Sequence, residues 1–149
     1  MDKLGIYIHW PYCIAKCPYC DFNSHKLKTY NPNEWMKAYK NQLQFLEKYL
    51  IYQNFKKLNL TSIFFGGGTP SLFAPEYFAR ILQTIHDHYT LDSGCEITME
   101  INPHTFENGW LDGYRSLGIN RASVGVQSFN AQALSRLGRT HTPDNIYQT

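Results

Sequence analysis

Cys13, Cys17 and Cys20 form a Cys-x3-Cys-x2-Cys run just after a short apolar segment, Leu4 to Ile8. Iron–sulfur clusters are usually held by four cysteine thiolates, and the only other cysteine, Cys95, lies far downstream. A cubane held by three thiolates leaves one iron open to an external ligand. The competing chemistry is a structural zinc site, which needs a fourth nearby ligand; His9 or His25 is available by position. Three unrelated buried thiols are the third reading.

A second chemical feature is the run Gly66-Gly67-Gly68-Thr69-Pro70 after an apolar stretch. Successive glycines let the backbone come close to a ligand, and their N–H groups can bind a carboxylate or phosphate. A tight strand-to-loop turn would need fewer of them. No Lys follows, so this is not a Walker motif, nor is it a Gly-x-Gly-x-x-Gly fingerprint.

The elements that must position these groups alternate between strand-like and helix-like patterns four times, the signature of β/α units and a parallel sheet. Expected strands are Leu4–Ile8, Thr61–Phe65, Glu96–Ile101 and Ala122–Val126. The first helix opens at Asn31-Pro32-Asn33-Glu34, with Asn31 as N-cap and Pro32 at the first helical position. Trp35, Tyr39, Leu43, Leu46 and Leu50 form its apolar stripe. The second follows Pro75, with Phe78, Ile81, Leu82 and Ile85 inward. The third runs from near Thr105 to Gly118, with Trp110, Leu111, Tyr114 and Leu117 apolar. A short helix over Ala131–Leu137 closes at Gly138, and Thr142-Pro143-Asp144 begins another.

Strand side chains alternate between faces. Glu96, Thr98 and Glu100 share one face of the third strand; Ser123, Gly125 and Gln127 share one face of the fourth; Tyr7 and His9 share one of the first. A parallel sheet covered on both sides should be nearly all apolar, so a polar inner face implies an interior that holds a ligand. His9, the glycine run, Glu100 and Gln127 fall at C-terminal strand ends, the functional rim of a β/α barrel. Four such units do not close a barrel. The expected architecture is therefore α/β: the N-terminal four β/α units of a partial TIM-like barrel, residues 1–149, with the rest of the barrel outside this sequence.

The composition is that of a folded chain: 43% hydrophobic, 15% aromatic, net charge +2 over 149 residues. Lys and Arg are scattered, which argues against nucleic-acid binding. No run reaches the ~18 apolar residues of a membrane span, and the N-terminus lacks a signal-peptide pattern. Clustered cysteines without a secretory signal favour metal binding in a reducing, cytoplasmic setting. His86 and His88 share no helix face and read as a solvated pair; Cys95 reads as a buried thiol.

Tyr7-Ile8-His9-Trp10-Pro11-Tyr12-Cys13 with Cys17-Pro18-Tyr19-Cys20 resembles the cluster loop of radical S-adenosylmethionine (SAM) proteins. Phe64-Phe65-Gly66-Gly67-Gly68-Thr69-Pro70-Ser71-Leu72, Glu96-Ile97-Thr98-Met99-Glu100, Gly125-Val126-Gln127-Ser128-Phe129 and Leu137-Gly138-Arg139-Thr140-His141 narrow the resemblance. Together they are similar to the oxygen-independent coproporphyrinogen III oxidase-like family, over essentially the whole chain. The resemblance implies a [4Fe–4S] cluster on Cys13, Cys17 and Cys20, with SAM on the fourth iron. It implies that Tyr7, Gly67 and Glu100 contact this SAM, and that Gly68, Thr69, Gln127 and Arg139 surround a second SAM or neighbouring ligand. An electron donor would feed the cluster, and SAM cleavage would yield a 5′-deoxyadenosyl radical, chemistry that belongs to the cofactor.

One position departs from the decarboxylating oxidase, which has a further cysteine two residues after the third ligand. Here that residue is Phe22, in Cys20-Asp21-Phe22-Asn23-Ser24. This ending is similar to the HemW-type branch, haem chaperones that pass haem to respiratory proteins. The expected function is thus a haem chaperone, with a decarboxylating oxidase of haem biosynthesis as the alternative and a zinc-stabilised binding module as the third.

Overall fold

Four parallel strands carry the structure, and the first three bury apolar residues against a helix layer. In the computed structural model residues 3–55, 59–103 and 110–149 are described. The strands are β1 (Lys3–Trp10), β4 (Asn59–Gly67), β5 (Thr90–Ile101) and β6 (Arg121–Val124), adjacent in that order. All pairings in this sheet are parallel. Two further two-residue strands, β2 (Tyr12–Cys13) and β3 (His25–Lys26), pair with each other in parallel.

The helices fall where the capping signals place them. Helix α1 spans Pro32–Tyr52, and the Asn31 side chain accepts a hydrogen bond from the Asn33 N–H at 3.0 Å. Helix α2 spans Pro75–His88 and buries Phe78, Ile81, Leu82 and Ile85, as its periodicity predicts. Helix α3 is described over Trp110–Ser116, and Gly118 follows with φ +90°; the expected start near Thr105 lies outside the described residues. Helices α4 (Ala131–Arg136) and α5 (Pro143–Gln148) complete the chain, α4 followed by Gly138 at φ +65° and α5 closed by a Thr142–Asn145 capping box.

The core lies between the sheet and the α1–α2 layer, where Ile8, Leu43, Leu60, Ile63, Phe65 and Ile85 are buried. Met36, absent from the predicted stripe of α1, is buried beside Leu43. The strands run longer than their patterns suggest: β1 continues to Trp10, and β5 begins at Thr90. Register shifts at Leu4/Gly5 and Leu60/Ser62 break the alternation there, which hides the early part of each ladder from a period-2 reading.

Three expectations need correction. Leu111 is exposed, so the buried member of that helix is Tyr114 alone. Strand β6 stops at Val124, and Ala122 and Val124 are exposed instead of packing on a helix. Among the described residues β6 has a strand partner on its β5 side only. His88 is not solvated either; its Nδ1 sits 2.7 Å from Glu47 Oε2 and ties α2 to α1.

Tyrosine hydroxyls tie the helix layer together and to its neighbours. The hydroxyl of Tyr89 donates to Leu43 O at 2.9 Å, that of Tyr114 to Phe73 O at 2.9 Å, and that of Tyr39 to His9 O at 2.7 Å. Burial pushes all three phenols above their usual range, Tyr89 to about 12 with a further contribution from Glu47. A raised phenol favours the neutral form in the fold, so its contribution is complete below pH 10.0 and is lost as the pH climbs through about 12. In urea unfolding followed against pH, stability should fall across that alkaline window. Tyr89→Phe should lose about 1 kcal/mol at neutral pH and show a shallower alkaline decline.

Candidate functional site

The cysteine loop is closed at its base before any ligand is considered. Tyr12 and Cys13 pair with His25 and Lys26, and His25 N–H and Leu27 N–H donate to Pro11 O and Cys13 O, each at 2.7 Å. Inside the loop Cys20 N–H turns back onto Cys17 O at 3.1 Å. The Lys16 ammonium donates to Ser24 O at 2.9 Å and to Phe22 O at 3.4 Å, clamping the loop across its middle.

The glycine run then sets this loop on the sheet. Gly68 N–H donates to Trp10 O at 2.6 Å and Thr69 N–H to Tyr12 O at 2.8 Å. A Cβ at Gly68 would strike the backbone of Tyr12, which cannot rotate aside. Gly67 has φ +114°, and a Cβ there would lie 2.6 Å from the His9 ring. At Gly66 it would come within 2.9 Å of the Tyr7 ring and 3.1 Å of Glu100 Oε2. Close approach does explain three consecutive glycines, and the structure shows it to be approach by the chain's own β1 and β2. The Gly67 N–H donates to the Glu100 carboxylate at 2.9 Å.

Cys13, Cys17, Cys20, Gly67, Gly68, Thr69, Glu100, Gln127 and Arg139 line one cavity of about 270 Å³, at the C-terminal ends of β4, β5 and β6. Of the residues expected to contact SAM or its neighbour only Tyr7 is off its wall; the rim candidates His9 and Gly66 are off it too. The Tyr7 hydroxyl lies 3.0 Å from His9 Nδ1, while His9 Nε2 lies 2.9 Å from Asn23 O. A carbonyl can only accept, so the proton sits on Nε2 and Nδ1 accepts from Tyr7. Burial, and secondarily the Glu100 carboxylate, raises the Tyr7 phenol and keeps it a donor.

Gln127 reaches the cavity differently from expectation. It lies beyond the end of β6 and has φ +64°, a left-handed conformation that costs a non-glycine residue about 1–2 kcal/mol. His141 supports this turn, with Nε2 3.1 Å from Val126 O and the side chain buried. The sequence reading also passed over Asn102. Its Nδ2 donates to Thr69 Oγ1 at 2.9 Å, and its Oδ1 accepts from Arg139 Nη2 at 2.6 Å. Asn102 directly follows β5, and a rim position two residues past Glu100 was the available signal. Arg139 also donates to Gly125 O at 2.9 Å and, through Nη1, to Cys17 Sγ at 3.5 Å.

All four cysteines are free. Among the described residues no three His, Cys, Asp or Glu side chains already converge as a metal-binding group, although the three loop sulfurs share one cavity wall. The donor set suits a soft metal centre: three thiols with an arginine and a lysine beside them and a glutamate opposite. His9 is a poor fourth zinc ligand, because both ring nitrogens are engaged. Farther along the inner face, Glu96 and Thr98 pair with Arg121 and satisfy one another away from the cavity.

Fold and site together define a class. Residues 7–149 match the radical SAM superfamily, and the chain belongs to it. Within that class it is 47% identical over 145 residues to the heme chaperone HemW of Haemophilus influenzae, covering 95% of this chain and 37% of that protein. It is 42% identical to the heme chaperone HemW of Escherichia coli, covering 96% and 37%. It is 37% identical to a mitochondrial radical SAM domain-containing protein 1 of Danio rerio, covering 99% and 32%. In three dimensions it resembles coproporphyrinogen III oxidase (HemN) from Escherichia coli, with TM-score 0.83 and 22% identity, over 97% of this chain and 32% of that one. The last likeness concerns the fold. The chain thus spans about a third of the length of the relatives it matches. No described helix is long and apolar enough to cross a membrane.

Two substitutions test the packing of the site. Gly68→Ala should push the cysteine loop off β4 and cost about 1–3 kcal/mol, as overpacking does, read by urea unfolding. Lys16→Met should leave global stability nearly unchanged while raising the alkylation rate of the loop cysteines, because only the clamp across the loop is lost.

Proposed function

We propose that this chain is the N-terminal, cofactor-bearing part of a HemW-type haem chaperone. One observation carries the reading: the three loop cysteines and six of the seven predicted contact residues, though scattered through the sequence, line one cavity. Cys13, Cys17 and Cys20 would hold a [4Fe–4S] cluster, leaving one iron for SAM. That pair supplies, when bound, reductive cleavage of SAM.

The protein's part is to bind, orient and shield. Glu100, already held by the Gly67 N–H, would accept from the amino-acid end of SAM; Tyr7, whose hydroxyl proton goes to His9 Nδ1, would offer its hydroxyl oxygen as an acceptor there. Gly68, Thr69, Gln127 and Arg139, which line the same cavity, would meet a second SAM or a neighbouring ligand. About 270 Å³ lies just below the ~300–1,000 Å³ of ordinary small-molecule sites. The cavity therefore suits a compact cofactor, and a tetrapyrrole would need contacts outside it. Free thiols at all four cysteines fit a reducing, cytoplasmic setting, with an electron donor and haem-accepting respiratory proteins as partners.

The alternative, a decarboxylating coproporphyrinogen III oxidase, is disfavoured at Phe22. Its side chain stands at the cavity wall and is exposed, where that enzyme would carry an additional thiol. Anaerobic reconstitution with iron and sulfide, followed by EPR of the reduced protein, tests the class. A signal that changes on adding SAM, and that is lost in Cys17→Ala, is expected; zinc without sulfide would refute it. With the full-length protein, stoichiometric haem binding without decarboxylation of coproporphyrinogen III is expected, and turnover of that substrate would favour the oxidase.

A further inference from the structure

The guanidinium of Arg139 is a half-buried cation with no carboxylate partner among the described residues. Its Nε is buried without a hydrogen bond. Nη2 is fixed by two neutral acceptors, Asn102 Oδ1 at 2.6 Å and Gly125 O at 2.9 Å, and Nη1 lies 3.5 Å from Cys17 Sγ, with the Tyr19 phenol beside both groups. An unpaired charge removed from water is expensive, so this geometry makes sense with an anion at the sulfur.

The bracket is built from several sides. Asn102 is itself held by Thr69 Oγ1, which is buried. Gly125 must be glycine, because a Cβ would lie 2.6 Å from Asn102 Oδ1 and 3.4 Å from Arg139 Nη2. The turn carrying Arg139 leans on the cysteine loop, since a Cβ at Gly138 would come within 3.0 Å of Pro18. Arg139 N–H donates to Leu134 O at 3.0 Å, locking that turn to α4. The direction of the guanidinium is therefore set by groups other than Cys17.

Hydrogen bonds to cluster sulfurs and nearby positive charge raise the reduction potential of iron–sulfur centres. We propose that Arg139, held by Asn102, donates to the Cys17 thiolate and so raises the potential of the cluster. Arg139 and Asn102 are positioning residues in this role, which rests on the radical SAM reading and is distinct from any contact with SAM.

The test is an EPR-monitored dithionite titration of the intact, reconstituted protein without SAM, with iron and sulfide per chain measured alongside. Arg139→Gln should keep the wild-type cluster content and lower the reduced-to-oxidised ratio at a fixed potential by about tenfold, ~59 mV for one electron. Arg139→Lys should fall between, keeping charge without the planar fork. Asn102→Ala should shift the same way by less, and it carries the test if Arg139→Gln does not hold a cluster. Full cluster content with an unchanged midpoint in Arg139→Gln or Asn102→Ala overturns the proposal. Loss of the cluster in every variant would make the bracket structural and overturn it as well. A wild-type protein with no cluster would sink the radical SAM reading too, whereas a wild-type cluster with invariant midpoints sinks only this one.

Discussion

Everything in the site depends on one contact between backbones, the seating of Tyr12 against Gly68 at the end of β4. Two hydrogen bonds from the glycine run hold Trp10 O and Tyr12 O, and the missing side chain at Gly68 lets those bonds form at all. The cysteine loop hangs from Tyr12 and Cys13 of β2, so the thiols inherit their position from the end of β4. Strand β4 is in turn central in the sheet, paired on both sides, with Leu60 and Ile63 fully buried. A buried strand paired on both sides thus supports the part that would hold a reactive centre, which is how a precise site is kept from drifting.

The opposite wall is organised by side chains. Asn102 joins Thr69 of the glycine loop to Arg139 of the last turn, and Arg139 returns to the cysteine loop. The ends of β4 and β5 and the turn after α4 are thereby coupled through a single amide. The cavity is closed on one side by backbone hydrogen bonds that tolerate little change of shape. On the other it is closed by a polar network whose members act jointly.

Much of this was legible in the sequence, for physical reasons. The alternation of apolar strands with capped helices carried the β/α order, and Asn31, Pro32, Gly118, Gly138 and Thr142 marked helix ends through conformational preferences that need no tertiary context. The rim residues Glu100 and the glycine run followed from strand polarity. The β2–β3 ladder was not visible, since two-residue strands have no period to detect. Asn102 was passed over because a lone Asn before Pro103 reads as a turn. Met36 lay off the aromatic stripe, and Val124 shows that an apolar residue in a strand need not find a cover. Gln127 reached its expected wall by a left-handed turn that alternation cannot anticipate.

Residue 22 carries a last consequence. The loop holds this position through its main chain, with Phe22 O accepting from Lys16 and from the Ser24 N–H, while the aromatic ring projects into solvent at the cavity wall. No packing constraint therefore polices which side chain stands there. A lineage could exchange a sulfur for a ring at this spot without renegotiating the scaffold. The position can thus vary in chemistry at the mouth of the cavity by changes that folding does not oppose.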